Sequence, residues 1–106
     1  MKSNFPDRIK KLEPFNGRFE AYKFEAKACD TYFASYPAGT VIEPHSHDTE
    51  NCGIITRGEL FLTTDGKEQR FGVGDWYHVG ANQIHSARFD QDTEEIEFWF
   101  KESARS

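Results

Sequence analysis

The chain has 106 residues, enough for one domain and little more. Eighteen acidic and thirteen basic side chains give a formal net charge of −5, and the Lys and Arg residues are scattered; this argues against a nucleic-acid partner, which would need a basic patch. No apolar run approaches the ~20 residues of a bilayer span, and residues 1–15 have no apolar stretch of the kind a secretion signal carries, so the expectation is a cytoplasmic protein with no membrane partner.

Ten Phe, four Tyr and two Trp can supply a core of large buried area per residue. Residues 1–16 read as an N-terminal arm, with a helical turn near Asp7–Leu12 that ends before Pro14. From Gly17 the texture changes, and residues 17–106 read as a single all-β domain. Segments rich in Phe, Tyr, Val, Ile and Thr alternate with polar residues and are separated by Gly, Pro, Asp and Asn. Strands are predicted near Arg18–Lys27, Thr31–Tyr36, Val41–His45, Asn51–Thr56, Glu59–Thr64, Lys67–Phe71, Asp75–Val79, Ile84–Phe89 and Glu95–Lys101. Thr64-Asp65-Gly66-Lys67 predicts a type I′ turn, because Asp-Gly supplies the two positive φ angles, and makes residues 59–71 one hairpin. So many short strands fit a sandwich or small barrel.

Candidate chemistry starts from four histidines, His45, His47, His78 and His85. On an extended strand His45 and His47, two apart, project to one face, where both imidazoles can reach one ion. Alternation also puts Glu43 with them. It is either an acid–base group or acceptor for an imidazole N–H, or a solvated charge beside Pro44. His78 is either an acid–base group of the pocket or a hydrogen-bonded barrel histidine. Cys29 and Cys52 are expected to be reduced, buried and apolar in role. Arg57 and Arg88 read as surface charges able to grip a carboxylate, and Asp90, Asp92, Glu94 and Glu95 read as a solvated loop. Tyr32, Tyr36, Phe33, Phe98, Trp99 and Phe100 are expected mostly in the core.

The histidines sit in a wider pattern: Gly39, five residues, His45, one, His47, three, Asn51, six, Gly58, then fifteen residues to Gly74-Asp75, with His85 eleven after Gly74. This pattern resembles the two motifs of the cupin superfamily over residues 39–89. The resemblance implies a double-stranded β-helix, the cupin or jelly-roll-like barrel, with a metal inside held by His45, His47, His85 and the residue in the family's Glu slot. That slot holds Asn51 here; Gly80 and Asn82 stand where the second motif has Pro and Gly, and Phe89 where it ends in Asn. A one-residue slip would present Glu50 in place of Asn51.

Three imidazoles make a nitrogen-rich site suited to a divalent transition ion: Zn, Fe, Ni, Mn or Cu. An amide in place of a carboxylate leaves more of the ion's charge uncompensated, which makes it a stronger Lewis acid and a more weakly held one. The expected function is therefore Lewis-acid chemistry on a small oxygenated metabolite, such as a sugar acid, with Glu43 or His78 moving a proton. The alternatives are a non-catalytic small-molecule sensor and an iron-dependent dioxygenase. The small-molecule ligand is the expected partner, together with a second copy of the chain as a homodimer, a habit of small cupins.

Overall fold

The computed structural model describes residues 1–17 and 19–101. Among them, ten strands follow a short 3-10 turn at Ile9–Lys11: β1 (Glu13–Asn16), β2 (Glu20–Glu25), β3 (Cys29–Tyr36), β4 (Val41–His45), β5 (Glu50–Arg57), β6 (Glu59–Thr64), β7 (Lys67–Gly72), β8 (Trp76–Val79), β9 (His85–Arg88) and β10 (Thr93–Phe100). A six-stranded sheet in the order β1-β2-β3-β10-β5-β8 faces a four-stranded sheet in the order β4-β9-β6-β7, with every pairing antiparallel. This two-layer all-β arrangement is the jelly-roll barrel.

The hairpin forms where Asp-Gly dictates it. Asp65 and Gly66 take φ of 51° and 75°, and Thr64 pairs with Lys67. Gly58 serves a different need. It turns the chain from β5 into β6 at φ 78°, and a Cβ there would lie 2.4 Å from the Asp92 carbonyl oxygen.

Between the sheets lies a core of Phe19, Tyr32, Tyr36, Ile42, Ile55, Leu60, Leu62, Val79 and Phe89, with Ala21 and Ala34 making room for the rings. Tyr36 stacks on Phe89 at 4.2 Å between centroids, and Tyr32 packs against Trp99 at 4.9 Å. Phe33, Phe98 and Phe100, expected in the core, occupy the outer face instead. Phe98 stacks with Trp76 there, and Phe100 is exposed, because odd and even positions of a strand point to opposite faces.

The N-terminal segment folds onto its own chain. Glu13–Asn16 adds an edge strand beside β2, and Phe5, buried, meets the edge of the Phe33 ring at 5.6 Å. The predicted strand start at Arg18 lies outside the described residues, as does the end of the predicted domain at 102–106. Cys29 and Cys52 are half-buried rather than buried and are not bridged to each other. Burial, the Glu50 carboxylate and Cys29 push the Cys52 thiol up, away from thiolate chemistry. No helix among the described residues is long and apolar enough to cross a membrane.

Candidate metal centre

A cavity of about 60 Å³ opens between the sheets, room for a few water-sized groups. Its lining has two chemically distinct sides. His45, His47, Asn51 and His85 form one; Glu95 and Glu97, with Tyr36 and Tyr77, form the other.

The histidine side is built by an irregularity in the pairing of β4 with β9. Ile42 pairs with Ala87 and His45 with His85, so β4 spends three residues where β9 spends two. The extra residue falls at Glu43-Pro44, where a proline cannot donate to the ladder anyway. It reverses the alternation, so Ile42 is buried, Val41 and Glu43 are exposed, and His45 still turns inward. The Glu43 side chain therefore lies outside the cavity lining, over a surface hollow with Arg88 and Glu68. Its backbone carbonyl contributes instead, accepting a hydrogen bond from Nδ1–H of His45 at 2.8 Å. The Gln83 carbonyl does the same for His85 at 2.9 Å.

A carbonyl oxygen only accepts, so both rings carry a proton on Nδ1 and turn an Nε2 lone pair toward the centre. One ring nitrogen from each of His45, His47 and His85 lies within 4.8 Å of the others, and Nε2 of His45 stands 3.1 Å from Nε2 of His47. Ligands at the usual Zn–N length of ~2.0–2.1 Å in tetrahedral array would be about 3.4 Å apart, so these residues fit a divalent ion with little adjustment. His47 is held from two sides. Its carbonyl accepts from the Asn82 N–H at 2.6 Å, and its ring lies 4.5 Å from that of Trp99. Asn82 takes φ 63° in this turn, a conformation asparagine tolerates well.

On β5, Asn51, Gly53 and Ile55 face inward while Glu50, Cys52 and Ile54 face outward. Asn51 is 6% exposed, lines the cavity and accepts a hydrogen bond from the Thr49 hydroxyl at 2.7 Å. Glu50 lies on the opposite face, 2.6 Å from Nε2 of His78, and both side chains are more than half exposed. The structure thus brings His45, His47, Asn51 and His85 together at one cavity and leaves the side chains of Glu43 and His78 outside its lining.

The acidic side does not follow from the sequence reading. Glu94 and Glu95, assigned there to a solvated loop, are each 1% exposed, and Glu97 is 5% exposed. The register of β10 against β5 shifts between Glu94 and Glu95, but the extra residue falls in β5; β10 runs in regular register with β3 and buries consecutive residues because both of its faces are covered there. Glu94 points outward, beneath the N-terminal segment, where it accepts from the Asn4 N–H at 2.7 Å and the Ser35 hydroxyl at 2.8 Å, with Arg57 3.9 Å away. Arg57 is tied up in that contact, and Arg88 pairs with Glu68 and Asp90, so both guanidiniums serve the protein's own carboxylates.

Glu95 and Glu97 point into the cavity. Glu97 accepts from the Tyr36 hydroxyl and from Nε1–H of Trp99 at 3.0 Å, and Glu95 accepts from the Tyr77 hydroxyl. Burial and the adjacent Glu97 carboxylate hold the Glu95 carboxyl well above the usual range, against the lowering effect of the Tyr77 hydrogen bond. The Tyr36 and Tyr77 phenols are pushed well up by burial and by these carboxylates, so they remain donors. Tyr77 reaches Glu95 by lying across Gly53, where a Cβ would come within 2.3 Å of its ring. Alternating Glu95, Glu97 and Trp99 along one strand was the available signal for this wall.

A Cupin domain model matches residues 32–100, and the chain belongs to the cupin family. Quercetin 2,3-dioxygenase from Bacillus subtilis (strain 168) is 39% identical over 56 residues, a stretch that is 51% of this chain and 16% of that protein; the chain thus spans a small part of that relative. Among solved structures, KdgF from Halomonas sp. superposes with a TM-score of 0.77 at 15% identity, over 89% of this chain and 92% of that one. An RmlC-like cupin from Shewanella frigidimarina NCIMB 400 gives 0.77 at 15% identity, over 90% and 88%. At these identities the two structures speak for the fold alone. Fold and family make this a cupin, and its histidine triad is a group that could hold a metal ion.

Proposed function

We propose that His45, His47, His85 and Asn51 hold one divalent transition ion, and that the protein acts through it on a small oxygenated molecule by Lewis-acid chemistry. The observation that carries this reading is the convergence of three imidazole nitrogens, two of them with their tautomer set by the Glu43 and Gln83 carbonyls. When bound, the ion supplies polarisation of a coordinated ligand oxygen. The chain's own residues do the rest. Phe89 and Tyr36, with Ile42 and Leu62, keep the cavity apolar around the ligand, Trp99 braces His47, and Asn51 offers a neutral oxygen donor.

A second reading, iron-dependent oxygenation, is favoured by the stretch shared with quercetin 2,3-dioxygenase. Metal analysis by mass spectrometry on protein purified without a histidine tag separates the readings. Near one equivalent of a redox-inert ion, lost in His45→Ala and His85→Ala, supports the first. Iron at that stoichiometry, with dioxygen consumed on a flavonol, supports the second. No metal after reconstitution contradicts both.

The outer face of the six-stranded sheet carries Phe24, Trp76 and Phe100, all more than a third exposed. This apolar face supports the further reading that two copies pair there, which sedimentation of wild type and Trp76→Glu tests: a dimer converted to monomer supports it, and a monomeric wild type contradicts it.

A further inference from the structure

The acidic wall of the cavity poses a problem that the histidines do not solve. Two carboxyl groups, Glu95 and Glu97, are buried side by side within hydrogen-bonding reach. No Lys or Arg lines the cavity among the described residues; the titratable groups facing the pair are Tyr36 from β3, Tyr77 from β8 and, across the cavity, His45, His47 and His85 from the β4–β9 side. In the metal-free protein two adjacent buried carboxylates, with no cation beside them, do not both stay ionised, so the pair shares one proton. Hydrogen bonding says where it sits. Glu97 accepts from two donors, the Tyr36 hydroxyl and the Trp99 indole, whereas Glu95 accepts from Tyr77 alone and is left to donate to Glu97.

We propose that Glu95 and Glu97 act as a single proton-sharing pair, the acid–base group of the cavity, which takes the hydroxyl proton of a small uncharged oxygenated ligand seated between it and the histidines. The step balances as a proton transfer: the ligand O–H bond breaks, an O–H bond forms on the Glu97 carboxylate, the electron pair stays on the ligand oxygen, and nothing is oxidised or reduced. Trp99 links the two walls, since its N–H is bonded to Glu97 while its ring packs on His47. The same wall sets the ligand class. A carboxylated ligand would meet a second carboxylate with no basic side chain to offset it, whereas a hydroxylated, uncharged one finds both an acceptor and a donor. This narrows the ligand away from a sugar acid, and it rests on the metal reading above only for how the ligand is anchored.

The first arm of the test uses metal-free protein. In deuterated buffer at about pH 8, where ordinary carboxyls are ionised, infrared spectra should keep one protonated-carboxyl carbonyl band, and Glu95→Gln should abolish it while its circular dichroism remains that of wild type. Absence of the band in wild type overturns the pair. The second arm uses zinc-loaded protein and catechol, which is uncharged at neutral pH, with protons released per probe bound measured calorimetrically at about pH 7 in buffers of different ionisation enthalpy. Glu97→Gln should release about one more proton than wild type; equal release, or a zinc-loaded wild type that does not bind the probe, overturns the acid–base role. A protein that shows the band yet holds no zinc overturns the metal reading and leaves the pair standing.

Discussion

The two walls of the cavity use opposite means to place polar groups in an apolar barrel. On the β4–β9 side His45 and His85 each spend a ring N–H on a nearby main-chain carbonyl, so the wall is satisfied locally, residue by residue. On the β10 side the carboxyls are satisfied across strands, by Tyr36 from β3 and Tyr77 from β8, and share a proton. The histidine wall is preorganised by short-range backbone geometry. The carboxyl wall exists only once three distant strands have assembled, so the same chain carries one site element that is local and one that is tertiary.

Substitutions should separate the walls, and the largest effect belongs to the first. His45→Ala is expected to abolish stoichiometric metal binding, read by mass spectrometry, and to leave the unfolding midpoint of metal-free protein within a few degrees of wild type, because the ring it removes is only half-buried.

Gly53→Ala should do the reverse. With a Cβ placed 2.3 Å from the Tyr77 ring, the phenol must move and Glu95 loses its donor, at a cost of about 1–3 kcal/mol in urea unfolding at pH 7. A neutral outcome would mean that Tyr77 does not hold the acidic wall.

The next effect is pH-dependent. Because the folded state holds the Glu95 proton more tightly than the unfolded chain, the unfolded state binds fewer protons at intermediate pH, and stability falls as pH rises. The contribution is complete below the ordinary Glu value near ~4.3 and is lost on passing through the raised folded value. Chemical denaturation of metal-free protein across this window should show that decline, and Glu95→Gln should flatten it. A wild-type stability that climbs steadily over the same range would contradict the assignment of a buried proton.

A smaller effect is expected at Asn51. Asn51→Asp adds a charge at nearly constant shape and should tighten divalent-ion binding by about tenfold, measured by competition with a chelating dye. Unchanged affinity would place the amide outside the coordination sphere.

Legibility from the sequence followed the same division. The hairpin at Asp65-Gly66 and the strand Val41–His45 were readable because a turn dipeptide and a short-range motif are local signals. The spacing from Gly39 to His85 carried the barrel and drew attention to the three imidazoles. Alternation along β4 misplaced Glu43, since the extra residue at Glu43-Pro44 reverses parity and a bulge leaves no clear mark in one sequence. The edge strand Glu13–Asn16 was hidden in what read as an arm, because pairing with β2 gives an exposed strand little periodicity of its own. Glu94 and Glu95 looked solvated because a carboxyl is ordinarily exposed, and the hydroxyl and indole donors that make the burial of Glu94, Glu95 and Glu97 tolerable lie up to 61 residues away in the chain.

The most direct test of the central claim is titration of metal-free protein with Co²⁺, followed in the visible spectrum. Ligand-field absorption that grows to one equivalent in wild type, and fails to develop in His45→Ala and His85→Ala, is the predicted result. Absorption that never appears, or that survives in both variants, would contradict a metal centre built on these histidines.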